Sequence, residues 1–129
     1  MGIALLVSFL GVSLADWFFW GVLFHDRYDA FPEVWRYRGA GSAQRRAVAG
    51  GVVLGAVTCA AFVGLCSALH VVAWKATLSL AFGTWMSTAV PMVLTNWLFI
   101  KMHPLLVVSG SLGWLAKLII PAIAVSLLM

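Results

Sequence analysis

Two oppositely charged residues, Asp16 and Lys117, lie inside long apolar stretches of this 129-residue chain. Asp16 is followed at once by the aromatic run WFFW. An unpaired charge at the centre of a membrane helix costs about 2.5–3.5 kcal/mol on insertion scales, so such residues are expected to neutralise each other or to do chemistry. The chemistry open to an acid and a base is proton exchange, or the binding of a small solute or ion.

Four apolar segments must position these two charges, and they cover about 3–24, 48–70, 76–100 and 104–128. About 20 mostly apolar residues suffice to cross the hydrocarbon core as a helix, and the runs lack the strict alternation of barrel strands. The sequence therefore predicts a single all-α integral membrane domain over 1–129. We expect four transmembrane helices in an antiparallel up-down bundle. The first run lacks a basic region before it, so we interpret it as a helix and not as a cleaved signal.

The composition also indicates a membrane protein. The chain is 64% hydrophobic and only 9% charged, with a mean hydropathy of +1.05. Soluble domains carry about a quarter charged residues, so there is too little polar surface here to cover a water-facing globule. No nucleic-acid partner is predicted.

The basic residues are concentrated on one side of the predicted bundle. Loop 25–47 contains five arginines and the link at 101–103 contains Lys101, whereas the link at 71–75 contains only Lys75. The predicted location is the cell (inner) membrane. The positive-inside rule places the long loop on its cytoplasmic side and both termini on its outer side.

The depths of the two buried charges are compatible with an ion pair. Asp16 lies eight residues before the end of the first predicted span, and Lys117 lies thirteen residues after the start of the fourth. At 1.5 Å per residue, antiparallel spans would leave a depth difference of roughly 8 Å, which a lysine side chain largely covers. Two interpretations stay open: a static clasp between the outer spans, or a polar pocket that exchanges protons or binds a solute.

Four further side chains are predicted to join the pair in a ligand-binding or ion-binding site: Ser13, Trp20, Thr95 and Asn96. The alternative is that hydroxyls in membrane helices bond to their own or a neighbouring helix. Pro91 and Pro121 lie inside spans, and each removes one backbone hydrogen bond, to the carbonyl of Ser87 or of Lys117.

Small residues recur at intervals of about four in three of the spans. The stripes are Gly51, Gly55 and Cys59; Ser79, Gly83 and Ser87; and Ser109, Gly110 and Gly113. Such stripes let helix backbones approach closely in lipid. They therefore predict packing surfaces. Cys59 and Cys66 are predicted to be buried, inert thiols.

The loop 25–46 offers a surface for lipid or a partner protein. Its candidate residues are Trp35, Arg36, Tyr37 and Arg38, which combine aromatic rings for the headgroup region with charges for lipid phosphates. The alternative is interfacial packing together with the charge that sets topology.

Three residues, His25, Asp26 and His103, are weak candidates for a metal site. A metal site needs three or four convergent ligands. The alternative is that these interfacial histidines are satisfied by water. No metal or other cofactor is predicted.

The chain resembles a family of small bacterial membrane proteins, domain of unknown function 1761. The similar residues are WGVLF at 20–24, Trp35, Gly83 and Trp85 before Pro91, NWLF at 96–99, and Pro104. The resemblance covers most of the chain and implies four spans, with no established activity and no catalytic residues to transfer. The sequence departs from it at Asp16 and in the last span, where SGSLGW at 109–114 and Lys117 stand in place of an expected Asn and His.

Two functions are predicted from these features. The first is a transport-like or channel-like protein whose polar cavity contains Asp16, Lys117 and Asn96. The second is a non-transporting scaffold or accessory subunit that binds lipid or a partner protein through loop 25–46. The expected partners are membrane lipids, a small solute or ion, and a second copy of the chain. An enzyme is not predicted, because no catalytic triad, phosphate loop or carboxylate pair is visible.

Overall fold

The computed structural model describes residues 1–22 and 42–129, in which the regular structure is all helical and contains no strand. The elements in order are α1 (Gly2–Asp16), a first π segment (Trp17–Val22), α2 (Ser42–Ala68), α3 (Trp74–Thr84), a second π segment (Trp85–Ala89), α4 (Val90–Phe99) and α5 (Pro104–Leu128). The expectation of an all-α fold is confirmed for this part of the chain.

Four helical stretches are long and apolar enough to cross a membrane. They are Gly2–Phe19, Arg45–Ala68, Trp74–Phe99 and Pro104–Leu128. Large apolar side chains are exposed along them, as at Leu98 (76%) and Phe99 (84%). These features suggest a multi-pass membrane protein. The second helix begins earlier than the sequence predicts, so Arg45 and Arg46 lie on α2 and not in the preceding loop.

The central element is α5, which packs against each of the other four α-helices. Its buried positions include the small residues Ser109, Gly110, Gly113 and Ala122. Because small side chains let neighbouring backbones approach, one helix can contact several others at once. The main buried cluster is Phe62, Val63, Cys66, Ala81, Leu118, Ala122 and Val125.

Helix α1 and the π segment that follows it pack closely against α5. A Cβ atom added at Gly11 would lie 2.7 Å from Ile120 Cγ2, and one added at Gly113 would lie 3.4 Å from Phe19 Cβ. Residue numbers decrease along α5 while they increase along α1 and the first π segment. Gly11 lies against Ile120, Asp16 against Lys117, and Phe19 against Gly113. Gly11 therefore permits the close approach of α1 and α5 near the two charges, whereas the distance at Gly113 is an ordinary van der Waals contact.

The predicted small-residue stripes differ in how far they are buried against neighbouring helices. Gly55 and Cys59 are buried on α2, but Gly51 is exposed. Ser79, Gly83 and Ser87 are all exposed, and a Cβ atom at Gly83 would meet nothing within 4 Å. The stripe on the third helical stretch therefore faces outward, and the expectation that it packs against a neighbouring span is not met among the described residues. Cys59 and Cys66 are buried, free thiols, as predicted.

The second π segment ends at Ala89, two residues before Pro91. Proline has no N–H and its ring clashes with the carbonyl four residues earlier, here that of Ser87. A π-helix bonds each carbonyl to the fifth residue onward instead of the fourth. The wider turn at Trp85–Ala89 therefore accommodates the proline within one continuous helical stretch.

The end of α2 is closed by a left-handed residue. His70 has φ 54°, and its N–H donates to Ser67 O at 3.1 Å while the Val71 N–H donates to Cys66 O at 2.9 Å. These two bonds form a Schellman motif, in which glycine is the preferred left-handed residue.

We expect His70→Gly to raise the free energy of unfolding by about 0.5–1 kcal/mol, because glycine avoids most of the cost of a left-handed backbone. Unfolding in mixed detergent micelles measures the change. His70→Ala is the matched control, because it removes the imidazole but keeps the Cβ, and we expect no gain from it. Equal stabilisation by both variants would show that the imidazole, and not the backbone, is responsible.

Candidate functional site

The two charges singled out in the sequence meet in the structure. Lys117 Nζ lies 3.1 Å from Asp16 Oδ1, and the lysine and aspartate side chains are 12% and 22% exposed. Asp16 is the last residue of α1, and Lys117 lies in the middle of α5. The predicted contact is therefore present between the first and last membrane-length helices.

The ion pair leaves hydrogen-bonding capacity unused. Asp16 Oδ1 is buried, and it has no hydrogen-bond partner of acceptable geometry among the described residues. The Lys117 ammonium lies at ionic distance from this oxygen. Since a carboxylate offers about four lone-pair sites, the pair is held by charge and can accept a further donor.

Lys117 is also held by an aromatic ring. Its Nζ lies 4.5 Å from the ring centroid of Trp114, three residues earlier on the same helix. An ammonium over a tryptophan face is attracted by the ring quadrupole. Lys117 therefore has a second favourable contact that does not depend on Asp16.

Helix α2 is the third helix that lies beside the Asp16–Lys117 ion pair, together with α1 and α5. A Cβ atom at Gly55 would lie 3.6 Å from Asp16 Oδ2 and 3.7 Å from Val12 Cγ1, which are ordinary van der Waals distances, so this position of α2 lies beside the carboxylate. The buried Cys59 thiol lies one turn further along α2. Three helices therefore surround the pair.

The backbone of α5 adds one more polar atom. Pro121 is buried within α5, and it has no N–H to donate to the Lys117 carbonyl four residues earlier. Lys117 therefore contributes two polar groups to the site: its side-chain ammonium, and a backbone carbonyl that receives no hydrogen bond from residue 121.

The first π segment begins at the residue after Asp16 and is fixed to α5. The buried hydroxyl of Ser109 donates a hydrogen bond to Phe19 O at 3.0 Å. Gly113, four residues later, lies against the Phe19 side chain. Because Lys117 comes after four more residues, one face of α5 contacts both the π segment and Asp16.

The second π segment is fixed to the same turn of α5. Trp85, its first residue, donates from Nε1 to Ser111 O at 2.8 Å. Isolated π turns in proteins are frequent at functional sites. The two non-α turns therefore meet the region of α5 that lies two turns before Lys117.

The other predicted site residues lie at varying distances from the pair. Ser13 lies one turn before Asp16 and is half-buried. Thr95 and Asn96 are exposed on α4, and among the described side chains no hydrogen bond or ion pair links them to the pair. The Trp20 side chain is not among those described. The structure therefore brings together Asp16 and Lys117, with Ser13 one turn away on α1, and gives Thr95 and Asn96 exposed positions on α4.

The weak metal candidates are only partly described. His103 caps the start of α5, because its Nδ1 accepts a hydrogen bond from the Leu105 N–H at 3.1 Å. His25 and Asp26 lie outside the described residues, as do the loop residues Trp35, Arg36, Tyr37 and Arg38. In residues 1–22 and 42–129 no three His, Cys, Asp or Glu side chains come together.

Four residues of the site were not singled out for it from sequence: Gly55, Cys59, Ser109 and Trp114. Trp114 could have been predicted from its spacing, because it lies one helical turn from Lys117. Ser109 lies eight residues before Lys117, on the same predicted helix face, and this spacing was a second signal. Gly55 and Cys59 carried none, because a small-residue stripe does not say which neighbour it faces.

Comparison of the chain with protein-family models, with curated proteins and with solved structures finds no match.

Proposed function

We propose that this chain is a multi-pass protein of the cell membrane whose four spans alternate in direction. Both termini lie outside and loop 25–47 lies in the cytoplasm. The four membrane-length helices support this arrangement, as do the opposed order of contacts between α1 and α5 and the excess of arginine and lysine on one side.

Its proposed activity is transport-like or channel-like, through a polar intramembrane site centred on Asp16 and Lys117. The observation that carries this proposal is the buried Asp16 Oδ1, which lies 3.1 Å from Lys117 Nζ and has no hydrogen-bond partner within residues 1–22 and 42–129. A purely static buried pair is stable only when its remaining lone pairs and protons are also satisfied. A carboxylate whose hydrogen-bonding capacity is not filled instead favours the binding and release of a proton or small ion.

The geometry supplies a chemical route for that exchange. A proton or small cation that arrives at Asp16 would replace the charge of Lys117, and the ammonium would keep its contact with the Trp114 ring. The lysine, released from the carboxylate, would then be available to an anion. The proposed substrate is therefore a proton or a small ion or solute whose charge one of these groups matches.

Flux measurement in proteoliposomes tests the proposal. We expect the wild-type protein to carry a proton, ion or solute from a broad panel, and Asp16→Asn to reduce that flux to background. Ser126→Ala is the control, because that hydroxyl donates within its own helix, to Ile123 O at 2.8 Å. If wild-type and Asp16→Asn proteins give equal flux for every species in the panel, the proposal is wrong.

One observation favours the scaffold alternative. The pair joins α1 to α5 and is enclosed by α2 at Gly55, so it has the position of a clasp between helices. A scaffold tolerates exchange of the charges, so Asp16→Lys with Lys117→Asp should then preserve both folding and partner or lipid binding. A transport site would keep the fold in this double variant and lose or change its flux. Membrane lipids and a second copy of the chain stay the expected partners in either case.

A further inference from the structure

The region just after Asp16 is unusual because the α-helix ends there and a π-helix begins. The Trp17 N–H contacts the carbonyls of Leu14 and Ser13, and the chain then continues as the first π segment. In a π turn the hydrogen bonds run to the fifth residue, which rotates the residues before the turn relative to the residues after it. The direction of Asp16 relative to Phe19 therefore depends on this turn keeping its π form.

Phe19, three residues beyond Asp16, is the residue through which α5 forms a hydrogen bond to this π turn. Its carbonyl accepts the hydroxyl of Ser109 at 3.0 Å. Ser109 is 1% exposed, so the hydrogen bond is made in an apolar interior where no water competes for it. Lys117 lies on the same face of α5, two turns further along the chain.

We infer that Ser109 is a positioning residue for the Asp16–Lys117 site. By fixing Phe19 O, it holds the first π segment in the form that directs Asp16 toward Lys117. This inference rests on the proposed function, which gives the site its importance. The position of Asp16 relative to Lys117 is nevertheless measured by an experiment that does not depend on transport. Its consequence is that loss of one hydroxyl, without a change of charge, separates the ion pair.

Infrared spectroscopy of protein labelled with ¹³C-aspartate tests this inference. The Asp16 carboxylate band is identified by subtracting the spectrum of Asp16→Asn, since Asp26 and Asp29 are the only other aspartates. Lys117→Met supplies the band position of an Asp16 that has lost its partner. We expect Ser109→Ala to move the band from the wild-type position to that of Lys117→Met.

Conservative variants separate positioning from general damage. Ser109→Thr keeps the hydroxyl and Ser109→Cys keeps the size with a weak donor, so we expect the first to restore the wild-type band and the second to shift it partway. These two variants also serve if Ser109→Ala does not fold. Trp85→Phe removes the other hydrogen bond to this turn of α5, at Ser111 O, and should leave the Asp16 band unchanged.

Two results would overturn the inference. One is a wild-type band in folded Ser109→Ala, and the other is an equal shift in Trp85→Phe. Absence of flux in the wild-type protein would instead count against the proposed function and would leave the band measurement intact. The two failures are therefore distinguishable.

Discussion

Lys117→Met is expected to lower the free energy of unfolding by about 3 kcal/mol, and Asp16→Asn with Lys117→Met to recover most of this loss. Removing one partner of a buried pair leaves an uncompensated charge, which costs about 3–5 kcal/mol, whereas removing both leaves none. The lower end applies here because Asp16 is 22% exposed. Unfolding of the wild type, both single variants and the double variant in mixed detergent micelles gives the coupling energy.

A matched control separates the pair from charge loss in general. Lys75 is exposed near the start of α3, so Lys75→Met should change the free energy of unfolding by less than about 0.5 kcal/mol. Additive effects of the two single substitutions at the pair would contradict the prediction, because groups that contact each other show coupling.

The same double variant bears on function. Asp16→Asn with Lys117→Met is expected to fold but to carry no flux, since neither a proton-accepting carboxylate nor an ammonium is left at the site. A clasp that serves only the fold would instead keep its lipid or partner binding in this variant. Stability and function measured on one protein therefore separate the two roles of the pair.

The helices and the ion pair were predictable because each depends on quantities that the sequence states directly. The length of an apolar run determines whether it can cross a membrane as a helix. The depth of Asp16 and Lys117 came from counting residues at a fixed rise along the helix. Both arguments need only order and composition, and the structure has the corresponding helices and the contact.

The direction of the small-residue stripes was not predictable, because glycine spacing looks the same toward a neighbour and toward lipid. Gly55 faces Asp16, whereas Gly83 faces open space. The π segments were also not predictable from residue type. Pro91 gives a physical reason for the second, but nothing comparable marks the first, whose form is tied to Ser109, 90 residues away in the sequence.

Gly11→Ala is expected to lower the free energy of unfolding by about 1–3 kcal/mol, the usual cost of overpacking a tight interface. The added Cβ would lie 2.7 Å from Ile120 Cγ2. This atom belongs to a β-branched side chain that is stiff at χ1 in a helix, so α1 and α5 must separate. Since that movement also lengthens the distance from Lys117 Nζ to Asp16 Oδ1, the shift of the Asp16 infrared band should accompany the loss of stability.

Gly83→Ala is the matched control for this substitution. Gly83 also lies inside a helix, but a Cβ atom there meets nothing within 4 Å, so alanine should stabilise the protein by about 0.5–1 kcal/mol through its helix preference. Ile120→Leu, which removes the branch at Cβ, should recover part of the loss when combined with Gly11→Ala. If Gly11→Ala stabilises the protein as much as Gly83→Ala, then α1 and α5 do not approach this closely, and the ion pair lacks the helix contact on which its geometry depends.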